Sequence, residues 1–151
     1  MTGRLILVCG LAGAGKTTVA KQLEADGAVR MCPDEWLVAL GFDLYDKDAR
    51  VAVEGLQWEL TQQLVVRGLT VVDECGVWQR WERDLRRTWA REHGIPVELR
   101  FLDAPVEVLT ARVAERNRSL PDGAQRIDPV LIAFWDRRIE RPDAAELALF
   151  D

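Results

Sequence analysis

The sequence predicts an α/β fold, a parallel sheet with helices on both faces, and three observations carry that prediction. Short apolar runs stand at Arg4–Cys9 and Leu69–Asp73, the first continuous as in a strand buried on both sides, and Val97–Leu102 reads as a further strand. Stretches of helical length and polarity separate them. Punctuating residues fall at the junctions, with Pro105 and Pro129 at expected first turns and Gly94 at an expected helix end. In such folds crossovers are right-handed and ligands sit beyond the carboxyl ends of the strands. Chemistry is therefore expected just after residues 9, 32, 73 and 102.

Taken in order, Arg4–Cys9 is the first strand and Lys16–Ala25 the first helix. Ala28–Cys32 reads as a short strand ended by Pro33, and Asp34 to about Leu40 as a short helix. Gly41–Asp46 is a loop, and Lys47–Arg67 a long helix with Val51, Leu56, Leu60, Leu64 and Val65 near helical spacing. After the strand Leu69–Asp73 come a helix over Arg80–His93 and the strand Val97–Leu102. Pro105–Asn117 is helical, and Ser119–Ile127, with Pro, Gly and polar residues, reads as a mobile segment. Asp128 caps a helix through Arg138, and Glu146–Phe150 is the expected fifth strand.

Composition bounds the function. The 151 residues suit one domain, 48% hydrophobic and 30% charged, with net charge -5. That balance disfavours a nucleic-acid partner, which calls for a basic surface. No apolar run approaches the roughly 20 residues of a membrane span. Cys9, Cys32 and Cys75, without CxxC spacing, read as reduced thiols packed in the interior of a cytoplasmic protein. The chain is expected to act as a monomer or homodimer.

The run Gly10-Leu11-Ala12-Gly13-Ala14-Gly15-Lys16-Thr17 matches G-x-x-x-x-G-K-[ST] between a strand and a helix. Gly10, Gly13 and Gly15, with the small Ala12 and Ala14 between them, let backbone amides turn toward an anion. The helix start at Lys16, Thr17 and Thr18 adds unpaired amides. In this motif the lysine, here Lys16, reaches the β/γ-phosphates, and the hydroxyl of Thr17 takes a place on Mg²⁺. Lysine is used only three times in the chain, at 16, 21 and 47, so its place in the loop is selective. The loop implies a nucleoside triphosphate.

Asp73 ends its strand as a Walker-B carboxylate does and is a candidate metal ligand with Thr17. The stretch DECG resembles the DxxG of GTPases, but no Asn-Lys-x-Asp accompanies it, since Arg118 follows the only asparagine, Asn117. Glu74 resembles the water-activating glutamate of ATPase machines. Asp34 follows the second strand and is a candidate base for an acceptor hydroxyl; a helix N-cap is the structural alternative. Arg112 and Arg116 share a helix face before the Pro/Gly segment, where arginines can neutralise a transferring phosphoryl group; a solvated helix end is the alternative.

With Gly10–Thr18, Asp34, VVDECGVW and LDAPVEVLTARVAERN together, the chain resembles the compact P-loop kinases of the nucleoside-kinase-like group. It is similar to the polynucleotide kinase, chloramphenicol phosphotransferase and zeta-toxin proteins. The resemblance implies a P-loop three-layer sandwich, a five-stranded parallel sheet of order 2-3-1-4-5, and a lid over residues 112–128. It implies ATP with Mg²⁺, transfer to a hydroxyl, Asp34 as base and Arg116 as lid arginine. The acceptor stays open: a small molecule, or less favoured by charge, a polynucleotide 5′-hydroxyl. A nucleotide-dependent regulatory ATPase is the other reading.

Acceptor-side candidates follow. Arg80, Arg83, Arg87 and Arg91 share one helix face, with Trp81, Leu85 and Trp89 opposite; Arg80 and Arg83 lie nearest the strand end. Trp36 and Trp78 stand at the edge of the expected site, where they can stack on an acceptor ring. Arg50 is a further anchoring candidate, and the acidic stretch Asp43–Asp48 can attract a cationic acceptor.

Overall fold

The computed structural model describes residues 3–120 and 125–151. Four parallel strands, β1 (Arg4–Cys9), β2 (Val29–Met31), β3 (Thr70–Gly76) and β4 (Val97–Phe101), lie in the order β2-β3-β1-β4. Among the described residues seven helices accompany them: α1 (Lys16–Ala25), α2 (Pro33–Ala39), α3 (Lys47–Val66), α4 (Arg80–Glu92), α5 (Val106–Arg118), α6 (Leu131–Asp136) and α7 (Ala144–Leu147).

Alternation along β1 builds both layers. Leu5, Leu7 and Cys9 pack with Val65 of α3, Ala90 of α4, Leu109 and Val113 of α5 and Ile132 of α6. Ile6 and Val8, with Val72 of β3, pack against Ala20 of α1. β1 and β3 run in register from Arg4 opposite Thr70 to Leu7 opposite Asp73, then slip, so that Cys9 faces Gly76. That irregularity sits where the loop after β1 begins.

The expected fifth strand does not form among the described residues. Residues 144–147 are helical, capped by Asp143, whose side chain accepts from the Glu146 amide at 2.8 Å. Glu146 is buried there and paired with Arg83. Asp151 meets the outer side of β4 instead. Its amide donates to Val97 O at 2.9 Å, and its carboxylate accepts from the Val97 amide at 2.7 Å.

Two helices turn differently from their apolar spacing. On α3 the buried seam is Val53, Gln57, Thr61 and Val65, while Val51 and Leu56 are exposed. On α4 the buried residues are Arg83, Arg86 and Ala90, while Trp81 and Leu85 face out at 65% and 51% exposure. Carboxylates placed under α4 reverse the usual pattern: Glu146 receives Arg83, and Asp73 receives Arg86. Among the described residues no helix is long and apolar enough to cross a membrane.

Candidate functional site

The loop after β1 is built by its glycines. Gly10, Gly13 and Gly15 adopt φ of 157°, 84° and 100°, the last two in the left-handed region that side chains resist. A Cβ on Gly13 would lie 2.9 Å from Leu109 O and 3.2 Å from Val113 Cγ2, so the loop rests directly on α5. Within the loop the Ala14 amide donates to Leu11 O at 3.1 Å. Among the described residues the amides of Gly15, Lys16 and Thr17 meet no such carbonyl, which leaves a helix start open to an anion. Lys16 donates from Nζ to Leu11 O at 3.0 Å. Burial pulls its ammonium below the ordinary lysine value, against the opposing pull of Asp34 and Glu74.

These residues open into a cleft of about 930 Å³. Ala12, Gly13, Gly15, Lys16, Thr17 and Thr18 line it, and so do Asp34, Arg112 and Arg116. Three separate segments anticipated from sequence thus meet in one space. Asp34 lies in the first turn of α2, where Cys32 is the N-cap and Pro33 the first helical residue, so capping is not its task. Its Oδ1 accepts from Arg50 Nη2 at 2.7 Å. Arg50 also donates to Leu44 O at 3.1 Å and lies 3.6 Å from Glu54. Arg112 donates from Nη1 to Gly13 O at 3.2 Å, tying α5 to the phosphate loop. Arg116 donates to Gln125 O at 3.4 Å. The expected mobile lid falls partly on residues 121–124, outside those described. On its far side, Asn117 Nδ2 donates to Ile127 O at 2.6 Å, and Gln125 bonds Leu44 N and Phe42 O.

The two neighbouring carboxylates of β3 take different partners. Asp73 does not reach Thr17. It shares the sheet face of Val71, where Oδ2 accepts from Arg86 Nε at 2.8 Å and Oδ1 from the Cys75 amide at 3.0 Å. Glu74 shares the α1 face with Val72, and it accepts the Thr17 hydroxyl. Its other oxygen accepts from Arg30 Nε at 2.8 Å, and Arg30 Nη1 bonds Glu35 at 2.7 Å. Glu74 and Arg30 both line the cleft. Arg30 was not legible as a site residue, because a single arginine in a three-residue strand carries no spacing signal.

Four acceptor candidates do not meet the cleft. Arg83, with 0% side-chain exposure, forms a two-point pair with Glu146 at 2.6 and 3.0 Å. It also donates to Val77 O at 2.8 Å, fixing a buried valine at φ 39°. Arg80 lies along α4 beside Asp84 at 3.6 Å. Trp78 donates from Nε1 to Gly10 O at 3.0 Å and packs on Trp135 at 5.8 Å, so it props the loop from behind. Trp36 packs with the cluster of Leu37, Leu44 and Val53. Arg50 does not line the cleft itself but bonds Asp34, which does. Burial pushes the Cys9 thiol up to about 11 and Cys32 to about 12, so neither is a ready nucleophile. A second groove, about 610 Å³ between α3 and α4 and lined by Trp58, Trp81, Leu85 and Trp89, holds none of the cleft residues.

Comparison with known proteins bears on the family and the fold. A family model described as an AAA domain matches residues 5–138. A gluconokinase structure from Sinorhizobium meliloti 1021 matches with TM-score 0.63 and 23% identity, over 93% of this chain and 77% of that one. The APS kinase CysC of Mycobacterium tuberculosis, in complex with AMPPNP and APS, matches with TM-score 0.61 and 22% identity, over 93% and 84%. A chain of the Pnkp1/Rnl/Hen1 RNA repair complex matches with TM-score 0.70 and 19% identity, over 87% of this chain and only 42% of that one. At such identities the likeness is one of fold. The chain belongs to the AAA domain family, and its fold is that of the small P-loop kinases.

Proposed function

We propose that the protein is an ATP-dependent phosphotransferase that moves the γ-phosphoryl group to a hydroxyl of a small-molecule acceptor. The observation that carries this reading is the meeting of the phosphate loop, Asp34 and two lid-side arginines in one cleft. The open amides of Gly15, Lys16 and Thr17 and the Lys16 ammonium suit the β- and γ-phosphates. Thr17 and Glu74, already joined by a hydrogen bond, are the residues that would hold Mg²⁺, with Glu74 taking the role expected of Asp73. Bound ATP and Mg²⁺ would supply the phosphoryl group and neutralise part of its charge.

The chain's own residues do the rest by position and charge. Asp34 accepts the acceptor's proton at Oδ2, which has no partner among the described residues, while Arg50 fixes its orientation through Oδ1. Arg112 and Arg116, held at the cleft by carbonyl contacts only, are free to turn their charge onto the phosphates. The polynucleotide reading is disfavoured because Arg80 and Arg83 lie away from the cleft. We place the protein in the cytoplasm, as a monomer or homodimer. The test is calorimetric titration with ATP·Mg²⁺, followed by a γ-phosphoryl transfer screen over hydroxyl compounds, with Asp34→Asn alongside. Binding and transfer that Asp34→Asn abolishes support the reading, and failure to bind ATP overturns it.

A further inference from the structure

The charge layout of the cleft points to the chemical class of the acceptor: an uncharged or cationic hydroxyl compound with an apolar side, and not a phosphorylated molecule or nucleic-acid end. The inference rests on the phosphotransferase reading and deepens it.

The two halves of the cleft differ in charge. On the phosphate side stand Lys16, Lys21, Arg112 and Arg116. The two arginines bond only backbone carbonyls, Gly13 O and Gln125 O, so their charge is uncompensated. On the Asp34 side, two carboxylates (Asp34 and Glu35) line the wall, and the one guanidinium there, Arg30, is shared with Glu74, the carboxylate that meets Thr17. Arg30 is already committed to Glu74 at 2.8 Å and Glu35 at 2.7 Å. Arg50, behind Asp34, is committed to Asp34 at 2.7 Å with Glu54 at 3.6 Å. An anionic acceptor would have to displace one of the protein's own carboxylates and sit among the others, an arrangement that selects against it.

No arginine from α4 redresses the balance. Arg83 is paired with Glu146, Arg86 with Asp73, and Arg80 and Arg87 lie beside Asp84.

Val38, Ala39, Leu44 and Ile127 line the same side and give it an apolar wall. Recognition thus combines an apolar face with the reacting hydroxyl on Asp34.

The first test needs no known acceptor. Ala39, exposed on the cleft wall, is replaced in the full-length chain by Ala39→Cys. Its modification by methanethiosulfonates bearing a trimethylammonium or a sulfonate group is compared, each rate normalised to a small free thiol and corrected for the parent chain. The expected preference for the cationic reagent is roughly tenfold at low salt, falling to roughly threefold on adding Glu35→Gln. Equal rates, or a faster anionic reagent, overturn the inference. The second test runs γ-phosphoryl transfer on kanamycin, an uncharged nucleoside, gluconate and a 5′-hydroxyl oligonucleotide. Preference for either of the first two supports the inference. Preference for gluconate or the oligonucleotide overturns it while leaving the phosphotransferase reading intact. Absence of ATP binding overturns that reading instead, and the rate ratio still reports the charge of the Asp34 side.

Discussion

Thr17 donates its hydroxyl to Glu74 and not to Asp73, although the two carboxylates are neighbours on one strand. Period-two alternation decides between them: Glu74 faces α1 and Asp73 faces α4. Two substitutions therefore separate metal chemistry from stability. Glu74→Gln is expected to weaken Mg²⁺-dependent ATP binding by about tenfold or more, read by Mg²⁺ titration. Asp73→Asn is expected to leave that titration unchanged and to cost about 3 kcal/mol in urea unfolding, because Arg86 stays buried without its carboxylate.

Lys16→Met is expected to lower turnover by at least about a hundredfold. The same variant should unfold within about 0.5 kcal/mol of the parent, since Lys16 makes one hydrogen bond, to Leu11 O. Steady-state kinetics beside a denaturant titration check both halves.

Asp34→Asn is expected to reduce kcat by about 10² to 10⁴ with the Kd for ATP within about twofold. Arg50→Ala should lower kcat less, because it releases the orientation of Asp34 without removing the carboxylate. A variant at Asp34 that turned over at the parent rate would remove it from the role of base.

Arg83→Met is expected to destabilise the fold by about 3 to 5 kcal/mol, leaving Glu146 buried and uncompensated. Adding Glu146→Gln should recover part of that loss. Thermal or urea unfolding of the two variants is the measurement, and an additive result would deny the pair.

Much of this molecule was legible in its residues, for identifiable reasons. The strand–glycine loop–helix transition states its own conformation, because left-handed backbone at Gly13 and Gly15 admits few alternatives. Asp34 followed from where parallel sheets place ligands, and Arg112 and Arg116 from their four-residue spacing before the Pro/Gly segment. What failed was facing. Neither Asp73 nor Glu74 announces its side of β3, and the β-slip beyond Leu7 lies next to them. The arginine face of α4 reads as solvated by composition, yet Arg83 and Arg86 are buried because distant carboxylates meet them. The expected fifth strand failed for the same cause. Glu146, matched to Arg83 from 63 positions away, is a long-range pairing that local pattern does not contain.

Asp151 against Val97 has a consequence for the molecule in crowded solution. The free side of β4 offers amides and carbonyls of the kind that recruit extended segments from other chains. The Asp151 backbone and carboxylate occupy both groups of Val97, and Arg91 holds that carboxylate at 2.9 Å. A charged plug of this sort works against cross-β stacking on that border, so self-association into fibrils is disfavoured where the sheet stops.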